Sequence, residues 1–173
     1  MAGKPRDGLV DHIDELRAQW ARELPDVDTA GVAILGRARR ITLAVRPRIE
    51  AIFQRHELDA GEFDVLASLR RAGPPCRLTP TELYRSLMIS SGGVTDRLAR
   101  LEAAGLVRRI PAQTDKRSLL VELTEAGRKR VEAALREDMA LEKELISGLT
   151  EAEQQQLAKL LRKLAVTLAS DSP

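Results

Sequence analysis

Hydrophobic and polar positions along most of the chain repeat at helical spacing. Apolar residues from Leu9 to Trp20 lie four, three and four positions apart, which predicts a short N-terminal helix with one apolar face. Residues 29–55 repeat apolar positions in the same way and predict a longer helix. Pro47 falls inside that pattern, and it predicts a kink or local break because proline lacks a backbone N–H.

Two capping boxes predict where the next helices begin. Asp59 with Glu62 precedes the segment EFDVLASLRRAG, and Thr79 with Glu82 begins the segment TPTELYRSL. In each pair the first side chain accepts from the backbone of the second residue, and the acid bonds back. Gly73 follows the first segment and predicts its C-terminal end.

A third helix is predicted in the segment SSGGVTDRLARLEAAG, with Ser90 as its N-cap and Gly105 at its end. Its apolar residues Val94, Leu98 and Leu101 are spaced four and three apart and predict the buried face. Two short capped helices in succession are typical of a helix-turn-helix.

The periodicity then changes from helical spacing to strand spacing. LVRRI and SLLVELT, separated by the polar PAQTDKR, predict a β-hairpin. Thr124 is predicted to cap a long helix reaching about residue 147, and Thr150 with Glu153 to cap a final apolar helix. The predicted fold is therefore mainly α with a small β-hairpin wing, a winged helix-turn-helix flanked by N- and C-terminal helices.

This arrangement predicts contacts with double-stranded DNA. The second helix of a helix-turn-helix lies in the major groove, and the cations of a wing tip reach phosphates or a narrow minor groove. Asp115 is expected to hold Arg117 in position by a bidentate contact. The predicted DNA-binding residues are Thr79, Ser90, Ser91, Gly92, Thr95, Arg100, Thr114, Asp115, Lys116 and Arg117.

The distribution of charge agrees with phosphate binding. Residues 77–130 contain 11 Lys or Arg against 6 Asp or Glu, whereas the rest of the chain contains 17 against 20. A basic middle between acidic ends is the pattern expected of a DNA-binding segment, although an ordinary solvated surface remains open on charge alone.

Composition argues against several other classes of protein. One cysteine, Cys76, and two histidines exclude an internal disulfide framework and make a metal site improbable, so neither metal nor cofactor is expected. Nucleophile-elbow, metal-ligand and phosphate-loop motifs are missing, so we do not expect an enzyme. Acidic residues stand near the N-terminus where a signal peptide has an apolar block, which favours a cytoplasmic protein.

From about residue 30 to 168 the chain resembles the MarR family of bacterial regulators. The resemblance rests on TPTELYRSL, SSGGVTDRLARLEAAGLVRR, the Asp115-Lys116-Arg117 wing and the LTEAGR segment. It implies a homodimer that binds a palindromic operator. On this basis residues 1–28 form an extra N-terminal helix, 29–58 and 124–173 the dimerisation helices, and 59–123 the winged helix-turn-helix lobe.

Within that family the chain resembles the urate-responsive branch, which has an additional N-terminal helix. The resemblance implies a ligand site at Trp20, Asp64, Arg97 and Arg109. An indole face, two guanidiniums and a carboxylate suit a planar purine anion. A ligand that holds Arg97 from behind the DNA-reading helix is expected to relieve repression.

Alternative interpretations of these residues stay open. Trp20 falls on the apolar face of its helix and is equally a core residue. Arg97 and Arg109 are alternatively phosphate contacts, with Asp64 pairing to one of them. The effector is alternatively another organic anion or an aromatic acid, and a third possibility is a redox sensor that acts through Cys76.

Overall fold

A computed structural model of the chain describes residues 10–87, 93–111 and 119–170. The chain divides into two units, residues 1–49 and residues 50–173. Within the described ranges, no helix is both long and apolar enough to cross a membrane.

The first unit contains helix α1, His12–Glu23, and the beginning of helix α2, Ala30–Arg55, which continues into the second unit. A helix is thus present where the apolar spacing from Leu9 to Trp20 predicts one. Arg37 of α2 donates to Asp14 at 2.7 Å and to Asp11, the N-cap of α1, at 2.9 Å. The hydrogen bond from Arg37 lowers the pKa of Asp11 to about 2. These ion pairs hold the start of α1 against α2.

Helix α2 runs through Pro47 without interruption for 26 residues. Of the kink or local break predicted there, the break is therefore wrong, and the kink stays a prediction. Proline removes one backbone donor, so one carbonyl a turn earlier loses its bond, while the hydrogen bonds on either side remain. A long helix with an apolar face tolerates that loss.

In the second unit, α3 lies at the centre of the fold and packs against α4, α5, α6 and β3. Its residues Val65, Leu66 and Leu69 are completely buried. Each such side chain stabilises the fold by about 1.5–3 kcal/mol relative to exposure. The elements are α3 Ala60–Arg71, β1 Arg77–Leu78, α4 Pro80–Ser86, α5 Val94–Ala103, β2 Val107–Pro111, β3 Leu119–Leu123, α6 Glu125–Leu145 and α7 Glu151–Ser170.

The three strands form an antiparallel sheet in the order β1-β3-β2. Strands β2 and β3 form the predicted hairpin, in register from Val107 opposite Leu123 to Pro111 opposite Leu119. Strand β1 was not predicted. It has only two residues, too few to show alternation, and it exists because Arg77 and Leu78 pair with β3.

The predicted caps are mostly confirmed. Capping boxes begin α3 and α4, and the Thr124 hydroxyl accepts from the backbone of Gly127 to begin α6. Helix α5, however, begins at Val94, with Gly93 at the N-cap position in a left-handed conformation (φ 75°). The prediction of Ser90 as the N-cap is therefore wrong, because an N-cap must directly precede the first helical residue. Glycine adopts this positive φ without the steric penalty of a side chain.

Candidate functional site

The second unit contains the predicted helix-turn-helix, α4 followed by α5. The inward face of α5 is formed by Val94, Leu98 and Leu101, all buried as predicted. Thr95 is exposed on the same helix, as a groove contact requires. Seven further predicted DNA contacts lie outside the described residues: Ser90, Ser91, Gly92, Thr114, Asp115, Lys116 and Arg117.

Thr79, a predicted DNA contact, is the N-cap of α4. Its hydroxyl accepts from the backbone N–H of Glu82 at 3.1 Å and donates to the Glu82 carboxylate at 2.8 Å. Hydrogen bonds from the backbone and side chain of Thr79 lower the pKa of Glu82. In the chain as described, the Thr79 side chain therefore organises the first turn of α4.

Arg100, another predicted DNA contact, is bonded to the start of α3. Its Nε lies 2.7 Å from Oε1 of Glu62 and its Nη2 lies 2.8 Å from Oδ2 of Asp59. Two carboxylates thus hold the guanidinium at one side of the recognition helix. Its contact with DNA remains a prediction.

One predicted effector residue, Arg97, contacts α3, the helix that carries another, Asp64. The Arg97 guanidinium lies against Gly61, where a Cβ would overlap its Nε and come within 2.8 Å of its Cδ. Gly61 and Asp64 are three residues apart in α3 and therefore share one face of that helix. Asp64 is only 5% exposed. Arg97 of the recognition helix therefore packs against α3 about one helical turn from the buried residue Asp64.

The other two predicted effector residues, Arg109 and Trp20, belong to other elements. Nε of Arg109 on β2 lies 3.2 Å from Oε2 of Glu102 near the end of α5. Glu102 follows Arg97 by five positions, which places it about 140° further round the helix. Trp20 belongs to α1 in the first unit and is half-exposed.

A cluster that the sequence did not predict joins α3 to the end of α4. Arg71 donates from Nη2 to the Ser86 carbonyl at 3.1 Å and to the Ser68 hydroxyl at 2.9 Å. The Ser68 hydroxyl in turn donates to the Ser86 carbonyl at 3.3 Å. The adjacent arginines Arg70 and Arg71 were visible in the sequence, but neither spacing nor charge indicated which one would face α4.

A second unpredicted cluster lies at the base of the wing. Glu122 on β3 is opposite Arg77 on β1 and Arg108 on β2. Its carboxylate accepts from Arg77 at 2.7 Å and from Arg108, and it is 6% exposed. The hydrogen bond from Arg108, followed by that from Arg77, lowers the pKa of Glu122. The three charged residues tie all three strands together beneath the hairpin.

Cys76 stands just before β1 and is partly buried. Within the part of the chain that the structure describes, no group of three or more His, Cys, Asp or Glu residues is arranged to hold a metal ion.

Comparison with known proteins identifies the family. A model of the MarR family matches residues 56–118. The HTH-type transcriptional regulator PecS of Dickeya dadantii is 33% identical over 92% of this chain and 96% of its own length. This chain belongs to the MarR family. It is therefore a DNA-binding transcriptional regulator, and the prediction that it is not an enzyme is confirmed by its relatives.

Solved MarR-family structures share the fold. A mutant of MarR from E. coli, determined in complex with operator DNA, is 31% identical, with a TM-score of 0.64, over 84% of this chain and 96% of that one. BpsR of Bordetella bronchiseptica, whose DNA binding is described as regulated by 6-hydroxynicotinic acid, is 28% identical with a TM-score of 0.59. That match covers 75% of this chain and 98% of BpsR. The predicted winged helix fold is confirmed.

Proposed function

We propose that this MarR-family chain is a homodimeric repressor that a small anionic effector, urate or a related purine, releases from a palindromic operator. The observation that carries the proposal is the packing of Arg97 against Gly61, one helical turn from the buried carboxylate of Asp64. One residue of the pair lies on the DNA-reading helix and the other on the central helix of the unit.

This geometry supports coupling between an effector and DNA. An anion that binds the Arg97 guanidinium competes with the contacts that hold α5 against α3, so the position of α5 changes. A ligand shifts such an equilibrium by its difference in affinity for the two positions. Coupling of about 1–3 kcal/mol changes operator affinity about 5- to 150-fold. Trp20 and Arg109 remain proposed effector contacts on the resemblance alone.

The apolar surface of α7 supports the homodimer. Residues Leu157, Leu160, Leu161 and Leu168 are between 44% and 57% exposed in the single chain. Four large apolar side chains on one face of the C-terminal helix form a surface that a second copy of the chain would bury. Sedimentation equilibrium should give twice the mass of the chain, and a monomer at micromolar concentration would contradict this part of the proposal.

A second class of effector is favoured by one relative. The DNA binding of BpsR is described as regulated by 6-hydroxynicotinic acid, a heteroaromatic acid. A carboxylate of that kind would also bind a guanidinium in a bidentate manner. We therefore keep aromatic carboxylates as the alternative to purines.

A thermal-shift titration distinguishes these effectors. Urate, xanthine and simple aromatic carboxylates are each added to the wild type and to Arg97→Ala. At 100 times its dissociation constant, a ligand stabilises the folded protein by about 2.7 kcal/mol, which gives a measurable rise in Tm. We expect a urate-selective rise that Arg97→Ala abolishes. No shift with any of these compounds would contradict the effector site and leave the DNA-binding function intact.

A further inference from the structure

Two side chains of α3 donate hydrogen bonds to the backbone carbonyl at the end of α4. The Ser86 carbonyl accepts from Arg71 and from Ser68, a residue that is 2% exposed. Leu87, which follows, is already extended, so the helix-turn-helix turn begins there. Carbonyls at a helix C-terminus have no partner within the helix, and a cation stabilises them. Arg71 therefore helps to define where α4 stops and the turn starts.

The same nitrogen of Arg71 also lies near the proposed effector site. Its Nη2 is 3.9 Å from Oδ1 of Asp64, a distance that permits an ion pair but exceeds a hydrogen bond. One guanidinium therefore lies between the buried carboxylate of Asp64 and the end of α4. A change of charge beside Asp64 alters the balance between those two attractions.

We propose that Arg71 is a positioning residue that couples Asp64 to the helix-turn-helix turn, and so relays occupancy of the effector site to the DNA-binding surface. The regulatory part of this proposal rests on the proposed function, because it assumes that Asp64 contacts the effector. An anion bound beside Asp64 adds negative charge there and draws the guanidinium closer. The hydrogen bond from Arg71 to the Ser86 carbonyl weakens as a result, and the end of α4 is then held less firmly by its two donors from α3.

The neighbouring arginine provides a matched control. Arg70 precedes Arg71 on α3, but its Nε bonds to Glu132 of α6 at 2.7 Å. Arg70→Gln removes the same charge from the same helix without touching the end of α4. If the two variants differ in operator binding, the difference therefore comes from the contacts of Arg71 with Ser86 and Asp64 and not from the loss of a positive charge.

The first test needs no effector. Operator affinity is measured for the wild type, Asp64→Asn, Arg71→Gln and the double variant, on a duplex selected in vitro against the wild-type protein. Each single substitution changes the operator Kd by some factor. We expect the factor for the double variant to differ from the product of the two single factors by about threefold or more, because the two residues share an interaction. When Arg70→Gln takes the place of Arg71→Gln, the factor for the double variant should equal the product of the two single factors. Circular dichroism checks that each variant is folded, and Arg71→Lys replaces Arg71→Gln if the latter is not.

The second test adds urate as the probe. The ratio of operator Kd with and without saturating urate should fall at least threefold in Arg71→Gln and stay unchanged in Arg70→Gln. A purely structural role would weaken DNA binding equally in both conditions and leave the ratio unchanged. If the effects of Asp64→Asn and Arg71→Gln on the operator Kd simply multiply, the coupling proposed for Arg71 is overturned, whatever the response to urate. Coupling in the cycle, with no response of the wild type to urate, overturns the proposed effector and leaves the role of Arg71 standing.

Discussion

Arg100 on the recognition helix donates to the Glu62 carboxylate in the first turn of α3, with Nε and Oε1 2.7 Å apart. Glu62 also bonds back to the backbone N–H of Asp59 at 2.9 Å, and Asp59 receives a second bond from Arg100. These contacts raise the pKa of Arg100, so it stays charged at any working pH. The capping box that begins α3 is therefore also the attachment point of the DNA-reading helix.

Replacing Arg100 by Gln should weaken operator binding about three- to tenfold, because α5 loses one of its attachments to α3. The slope of log affinity against log salt should not change, since the guanidinium is already neutralised by two carboxylates. Filter binding at several salt concentrations measures both quantities. A slope reduced by about one would show instead that Arg100 contacts a phosphate.

Glu62→Gln is the control for this experiment. Glutamine retains the capping function but removes the charge that holds Arg100. If attachment is the role of Arg100, this variant weakens operator binding as well. If Arg100 contacts DNA, releasing it from Glu62 strengthens binding instead.

Gly61→Ala should impair effector binding without removing any charged group. The added methyl would overlap the Arg97 guanidinium, the mobile end of a flexible side chain, so the arginine moves and the fold tolerates the change. We expect urate affinity to fall about tenfold, as for the loss of one charge-assisted hydrogen bond. Isothermal titration calorimetry measures it. Gly31→Ala, where no atom lies within 4 Å of the new methyl, should bind like the wild type.

Gly127→Ala should destabilise the fold. Gly127 lies in the first turn of α6, where a Cβ would overlap the backbone carbonyl oxygen of Leu106 and contact Leu123 at 2.9 Å. Backbone cannot move aside as a side chain can, so overpacking of about 1–3 kcal/mol is expected. Urea denaturation measures the free energy of unfolding. A loss below about 0.5 kcal/mol would mean that α6 shifts freely at its start.

Glu122→Gln should lower stability in a pH-dependent manner. Hydrogen bonds from Arg108 and Arg77 lower the pKa of Glu122 below its ordinary value of 4.5. A lowered pKa stabilises the folded state above that ordinary value, and the contribution is lost as the pH falls through the folded-state pKa. We expect the Tm of the variant to lie a few degrees below that of the wild type at pH 7. This difference in Tm should become steadily smaller below pH 4.5. A gap that is constant with pH would contradict this role of the carboxylate.

Local chemistry predicted most of the fold. Asp59, Thr79 and Thr124 marked helix starts correctly because a cap and its partner lie within three or four residues. Strand β1 escaped prediction because its two residues take their conformation from pairing with β3, where the partner of Arg77 is 45 residues away in sequence. Ser90 was assigned as a cap because its residue type suits the position, but the helix starts later, after a glycine whose φ is positive.

The candidate site was less predictable because its contacts are tertiary. The resemblance selected Arg97, which packs against Gly61, and Asp64, which is buried three residues after that glycine on α3. It also selected Arg109, whose observed partner is Glu102. The position of Arg71 between Asp64 and the Ser86 carbonyl depends on how α4 packs against α3, and no short-range pattern records that packing.

Operator binding by the wild type and by Arg97→Ala, each with and without saturating urate, tests the account most directly. Fluorescence anisotropy of a labelled operator duplex gives the four dissociation constants. We predict that urate weakens wild-type binding at least fivefold and leaves the variant unaffected. Equal release of both proteins by urate, or tighter wild-type binding in its presence, would contradict a release mechanism that acts through the recognition-helix arginine.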